Sequence, residues 1–312
     1  MDAFNNTVEM ERAALSHQSY KFNFYTSAIC LLFVVFNIIV MVTNKKLREQ
    51  YKILVALCWT NLILLLGVLL EAVERKAIYA TVMRGVVKAP VSSRECIKVW
   101  TVLQVYSDFA MPLIILSMSV ERFIAIKFPV VYLKSSDSLP VVSVTSSLIA
   151  ACAIMIMPTI ISVVWPTPNV TFKCGRKAAF GTEFGVFDYA FSVITIWTAL
   201  VLTVITCIAA MSVNQSKSNK YKMKCYTAIA IVSTLLISIP NLLSIIDTMV
   251  KLPLVLSIPS SGLSCVNCAL QFFINFSLNN AFRTHFLRIL SFGKYRKLNV
   301  STVQVIVTQA HQ

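Results

Sequence analysis

The residues best placed to do chemistry are a Glu121-Arg122 pair that closes a long apolar run, S-M-S-V-E-R-F-I-A-I-K. Charges at a hydrophobic helix end are costly near lipid, which makes a functional role the default reading. The planar, permanently charged guanidinium of Arg122 suits both pairing with a carboxylate and later release to another acceptor. The alternative is a basic residue that only anchors a helix end. A second carboxylate, Asp108, lies about 21 Å along the same helix at 1.5 Å per residue. It should point into a helix bundle, either to bind an amine or polar group or as a hydrogen-bonded structural aspartate. Gln104 sits one turn above it, and Pro112, one turn below, would kink the helix. Glu71, Asn241, Ser261 and Cys265 are further ligand-binding candidates, each equally readable as structural. The only histidines, His17, His285 and His311, lie outside the apolar runs. That argues against a hydrolase with a histidine base or metal. We therefore expect no enzyme activity, no metal site and no cofactor. The final run, Leu254–Phe276, holds no lysine for a retinal Schiff base.

The elements that must position these residues are membrane helices. Hydrophobic residues make up 57% of the chain and charged residues 13%, where a soluble domain would carry about 25% charge. Mean hydropathy is +0.75. Seven runs are long enough to cross a ~30 Å hydrocarbon core: Phe24–Thr43, Ile53–Leu70, Val99–Ile126, Val141–Val164, Phe187–Met211, Tyr226–Val250 and Leu254–Phe276. Backbone groups cannot bond to lipid, so each run must be a helix. The expected fold is an all-α seven-helix membrane bundle over residues 24–279, preceded by a polar amino terminus, residues 1–23. Asn280–Phe292 has the period of an amphipathic helix lying on the membrane surface. Residues 293–312 read as a loose tail.

A net charge of +15 is explained by basic loops between spans, not by nucleic-acid binding. The greater share of the lysines and arginines falls on the side that carries Arg122 and the tail. This bias places the tail in the cytosol and the amino terminus outside, at the plasma membrane. Of the nine cysteines, only Cys96 and Cys174 lie in connecting loops, both on the outer side. They read as a disulfide in an oxidising compartment, with two free thiols as the alternative. Asn5 and Asn169 are the glycosylation motifs that this topology leaves outside.

The stretch S-V-E-R-F-I-A-I-K-F-P-V-V-Y resembles the S-x-D-R-Y-x-A-I-x-x-P-x-x-Y of rhodopsin-like (class A) G-protein-coupled receptors. Glu121, Arg122, Phe123, Ala125, Ile126, Pro129 and Tyr132 match in register. Asn37 matches the first-helix asparagine, and Asn61 stands where the family usually has aspartate. In the last span, N-C-A-L-Q-F-F-I-N-F-S-L-N-N-A-F-R aligns with N-S-x-x-N-P-x-x-Y followed by F-R, with Gln271, Phe272 and Asn275 replacing Asn, Pro and Tyr. Pro240 is in place in the sixth span, but Ser238 sits where the family often has tryptophan. These departures mark a divergent, chemosensory-type branch. The resemblance implies a receptor for an extracellular small molecule or peptide that signals to a heterotrimeric G protein. It also implies that Glu121, Arg122, Phe123, Asn61, Gln271, Asn275 and Pro240 form the switch and coupling residues. An odorant-gated seven-helix channel of inverted topology, or a polytopic transporter, is the alternative. The inverted channel would need a cytosolic amino terminus, and no inverted repeat of the transporter kind is visible.

Overall fold

The computed structural model describes residues 2–84, 91–170, 174–212, 217–250 and 260–291. Among the described residues, seven helices are long and apolar enough to cross a membrane. The chain is a multi-pass membrane protein with a seven-helix bundle fold. The first span lies in a helix running Asp2–Thr43, the second in Lys52–Met83, the third in Val99–Lys127 and the fourth in Ser138–Val164. The fifth lies in Thr182–Met211, and the sixth is built from Lys217–Ser233, a π-helical turn Thr234–Ser238 and Ile239–Val250. The seventh, Ser260–Leu278, is followed by a surface helix, Asn280–Leu290. The tail expected over residues 293–312 lies outside the described residues, as do residues 254–259 of the expected seventh span.

The third span is central, packing against the second, fourth, fifth and sixth. Over half of its most apolar stretch is buried (56%), against 22% for the fourth, which sits at the rim. The outward faces of the fourth and fifth spans carry Ile149, Ile156, Met157, Ile194, Trp197 and Val201. Lipid is as apolar as these side chains, so such exposure costs nothing in a bilayer.

Local chemistry sets where the helices start and bend. Asn279 separates the seventh span from the surface helix, and its side chain accepts hydrogen bonds from the Ala281 and Phe282 amides. An asparagine there satisfies amide donors that the first turn leaves unpaired. Phe282 is then fully buried against Phe272, with ring centroids 5.8 Å apart. In the sixth span Pro240 offers no N–H, and its ring would crowd the carbonyl one turn back. The helix widens just ahead of it, and the Ile239 N–H reaches back five residues to the Thr234 carbonyl.

The first and second helices are longer than a bilayer needs. At 1.5 Å per residue they span about 63 Å and 48 Å, against a ~30 Å core. Their surplus turns pack together, with Tyr20 stacked on Tyr79 at 5.7 Å. The polar amino-terminal segment therefore continues the first helix.

Candidate functional site

Buried charge is concentrated at the two ends of the bundle. At one end, Glu121 and Arg122 are each only 4% exposed. Arg122 Nη2 donates to Glu121 Oε1 and, at 3.1 Å, to the Tyr132 hydroxyl. That hydroxyl donates in turn to Glu121 Oε1 at 3.0 Å, closing a three-residue ring of bonds. Tyr132 reaches back from a short helix, Pro129–Ser135, which begins about two turns below the pair. Burial raises the Tyr132 pKa above the usual phenol range, so the hydroxyl keeps the proton it donates. The guanidinium is also flanked by the rings of Tyr132 and Tyr226, with centroids 5.7 Å and 5.5 Å away. Tyr226 belongs to the sixth span, so an aromatic face joins that span to the third. Arg122 Nε is buried without an acceptor. Lys222, one turn before Tyr226, sits over the Tyr51 ring at 5.3 Å. Phe123 is half-buried and packs on Phe128 at 6.3 Å.

A chain of amides occupies the middle of the bundle. Asn61 Nδ2 donates to Gln271 Oε1 at 2.6 Å. Asn275 donates to Asn37 at 3.2 Å, and Asn37 to Cys58 Sγ at 3.2 Å. These bonds tie the first, second and seventh spans with neutral groups. Asn61 Oδ1, Gln271 Nε2 and Asn275 Oδ1 are buried without partners, the kind of site an ordered water satisfies. Pro240 is buried in the sixth span.

At the other end, Cys96 and Cys174 are joined by a disulfide that ties the top of the third span to the loop after the fourth. Two residues beyond Cys174 a short helix, Arg176–Phe180, turns Arg176 into the bundle. Its Nη1 pairs with Asp108 at 2.7 Å and with Asp188 of the fifth span at 2.9 Å. Burial alone would lower the Arg176 pKa; the carboxylates of Asp108 and Asp188 outweigh that and raise it, so the group stays charged. Asp188 is 1% exposed, and its second oxygen, Oδ1, has no hydrogen-bond partner. Phe109, next to Asp108, packs against Phe184, Phe187 and Phe191. A cleft of about 790 Å³, lined partly by Met157, Pro158, Phe180 and Phe187, lies between the fourth span and the start of the fifth, and Arg176, Asp108 and Asp188 do not line it.

The structure separates the sequence candidates. Gln104 and Asp108 share a helix face but not a partner. Gln104 donates to Glu71 at 2.7 Å, and Glu71 pairs with Arg75 at 2.9 Å. Arg75 also bonds to Tyr20 and lies over the Trp100 ring at 5.2 Å. Glu71 and Gln104 therefore knit the first three helices together, which leaves Asp108 as the carboxylate of the third span in the Arg176 cluster. Gly67 allows this contact: a Cβ there would lie 2.9 Å from Gln104 Cγ and 3.3 Å from its backbone nitrogen. Asn241 donates to Ser192 at 3.1 Å, linking the sixth and fifth spans. Cys265 is buried in the core and Ser261 half-buried. Asn169 is exposed, with φ +57°; the side chain of Asn5 lies outside the described residues. No group of three or more His, Cys, Asp or Glu among the described residues could hold a metal.

A family model described as serpentine type 7TM GPCR chemoreceptor Srsx matches residues 29–290. The chain belongs to that family. The match takes in all but the beginning of the first span, the other six spans and the whole surface helix of this chemoreceptor, and both charged clusters lie inside it. A comparison with curated proteins finds no match.

Residue spacing alone had pointed to the Glu121-Arg122 end. It missed Arg176, Asp188, Tyr226 and Tyr189, whose ring lies 5.7 Å from the Arg176 guanidinium. Asp188 had left a usable signal as a carboxylate inside the fifth apolar run. Arg176 left none, because only folding carries a loop arginine into the bundle.

Proposed function

We propose that this chemoreceptor sits at the plasma membrane with its disulfide end outside, and that it passes the binding of an extracellular small molecule or peptide to a heterotrimeric G protein. The tail and the surface helix are then cytosolic, and Asn5 and Asn169 are available for glycosylation. A disulfide belongs to an oxidising compartment, and the lysines at the start of the sixth span suit a cytosolic edge. Ligand binding near Asp108, Asp188 and Asn241 shifts the population between two arrangements of the third, fifth and sixth spans. In the resting arrangement Arg122 is held by Glu121, Tyr132 and Tyr226. In the signalling arrangement it turns to the partner.

The observation that carries this reading is the state of Arg122: buried, charged, and held by one neighbouring carboxylate and two rings, with its Nε–H uncommitted. Most buried donors in folded proteins are satisfied, so a free Nε–H is a donor available to a partner. Moving the Tyr226 ring frees one side of the guanidinium without breaking an ion pair between spans.

Two measurements test it. Epitope tags at both ends, stained on unpermeabilised cells, should reveal only the amino-terminal tag; staining of the tail alone would overturn the receptor reading in favour of an inverted channel. A chemical screen with a second-messenger readout should find an agonist whose response Arg122→Ala removes while surface expression persists. An intact response in that variant would refute the role of Arg122.

A further inference from the structure

Arg176 occupies a site that was not built for it alone. Its Nη1 serves both carboxylates, one from the third span and one from the fifth. Asp188 Oδ1 remains buried and unpartnered beside it. Two carboxylates facing one guanidinium leave a surplus of negative charge, and a buried carboxylate oxygen without a donor is costly. The other basic groups nearby are committed elsewhere. Lys177 donates to Thr248 at 2.6 Å and lies over the Tyr189 ring, while Arg75 is paired with Glu71. Asp108 keeps 18% of its side chain exposed and Arg176 21%, although the Asp108 oxygen that meets Arg176 is itself buried.

The arginine arrives from a loop helix, not from a span. It is tethered on one side by the Cys96–Cys174 bond and on the other by Gly181, whose φ of +91° sets the turn into the fifth span. A group on so short a tether presents itself at about millimolar effective concentration. Its side chain can swing away without moving a span, while Ala179 and Phe180 keep the loop helix anchored in the core.

We propose that Asp108 and Asp188 form a cation-binding site that Arg176 fills as a built-in competitor, and that the receptor's ligands include organic monocations, an amine or guanidinium head on a small apolar body. Such a head would take the place of Arg176 between the two carboxylates and satisfy Asp188 Oδ1. Its apolar body would lie along Phe109 and Phe191, 5.2 Å apart. The inference rests on the chemoreceptor reading above and names the ligand class for its outer site.

The test uses the full-length receptor, purified in nanodiscs, with n-butylguanidinium, n-butylammonium, butyrate and butanol as probes. Binding is read as a concentration-dependent rise in melting temperature. The two cations should stabilise Arg176→Ala at least about tenfold more potently than the wild type, because the resident competitor taxes apparent affinity. Asp188→Asn in the same background should abolish the effect, and butanol should do nothing. If Arg176→Ala does not fold unaided, n-butylguanidinium in the growth and extraction buffers should restore it, and Arg176→Gln provides a second background. Equal potency in wild type and variant, or no cation effect in either background, would overturn the proposal. So would stabilisation by butyrate that vanishes with Arg176, since the arginine would then be the receptor for an anion. A receptor that activates a G protein yet ignores the cations refutes this inference alone. One that binds the cations as described, with no G-protein response to any ligand, refutes only the signalling reading.

Discussion

Two arginines, one at each end of the bundle, sit beside carboxylates and tyrosine rings, Arg122 buried and Arg176 half-buried, yet they are held in opposite ways. Arg122 takes its carboxylate from the adjacent residue of its own helix, and only an aromatic face links it to the sixth span. Arg176 takes both carboxylates from other elements, the third and fifth spans, and its own loop is stapled to the third by a disulfide. A local ion pair survives when neighbouring helices move apart, whereas a tertiary one must break. The disulfide end is therefore built to hold its helices in place, and the Arg122 end to let the sixth span go at the loss of a cation–π contact, worth about 0.5–2 kcal/mol.

The largest expected effect tests the stapled end. Cys96→Ser removes the covalent tie and should cost about 2–5 kcal/mol, read as a lower melting temperature and reduced surface expression. Unchanged stability would mean that the outer end holds without its staple. Gly181→Ala tests the same end more gently. Its backbone, φ +91° and ψ 156°, belongs to a region open essentially to glycine alone, so the change should cost about 1–3 kcal/mol. The added methyl meets nothing within 4 Å, so any loss measures backbone strain and not a clash.

At the inner end, Tyr226→Ala should raise ligand-independent signalling severalfold, in line with losing about 0.5–2 kcal/mol from the resting state. Tyr226→Phe, which keeps the ring, should signal like the wild type. If Phe behaved like Ala, the hydroxyl and not the ring face would be the tie, and the contrast between the ends would narrow. The smallest effect concerns pH. His285 of the surface helix lies 2.9 Å from the Thr43 hydroxyl, and burial, then Arg288, hold its pKa below the ordinary value. The unfolded chain takes up the proton first as pH falls, so the folded state should lose stability below about pH 6.5 and gain nothing above it. A slight drop in melting temperature at pH 5.5, absent in His285→Asn, would show it.

The seven spans were legible because lipid imposes a single solution on long apolar runs. The Glu121-Arg122 pair was legible because the two are adjacent on one short stretch, whereas the bonds of the Tyr132 hydroxyl to both were not. What escaped was whatever depends on a long-range meeting. Tyr226 is one of two aromatic residues in the sixth span, with Tyr221, and nothing local marks it as the partner of Arg122. Gln104 and Asp108, one turn apart, share a helix face, but a small rotation about the helix axis sends one to Glu71 and the other to Arg176. The helical amino terminus was illegible for a different reason. Its contacts with the second helix run through Tyr20, Tyr79 and Arg75, not through the regular apolar period that reveals a helix in sequence.

The π-turn at Thr234–Ser238 has a consequence for phasing. Holding one surplus residue, it turns everything before it by about 100° relative to a regular α-helix. Pro240, Asn241 and the contact with Ser192 lie on one side of that turn, Tyr226 and Lys222 on the other. Deleting one residue within it would regularise the helix and swing the Tyr226 ring out of line with Arg122. The angular register between the Asn241 half and the Tyr226 half of the sixth span is thus stored in a single extra amino acid.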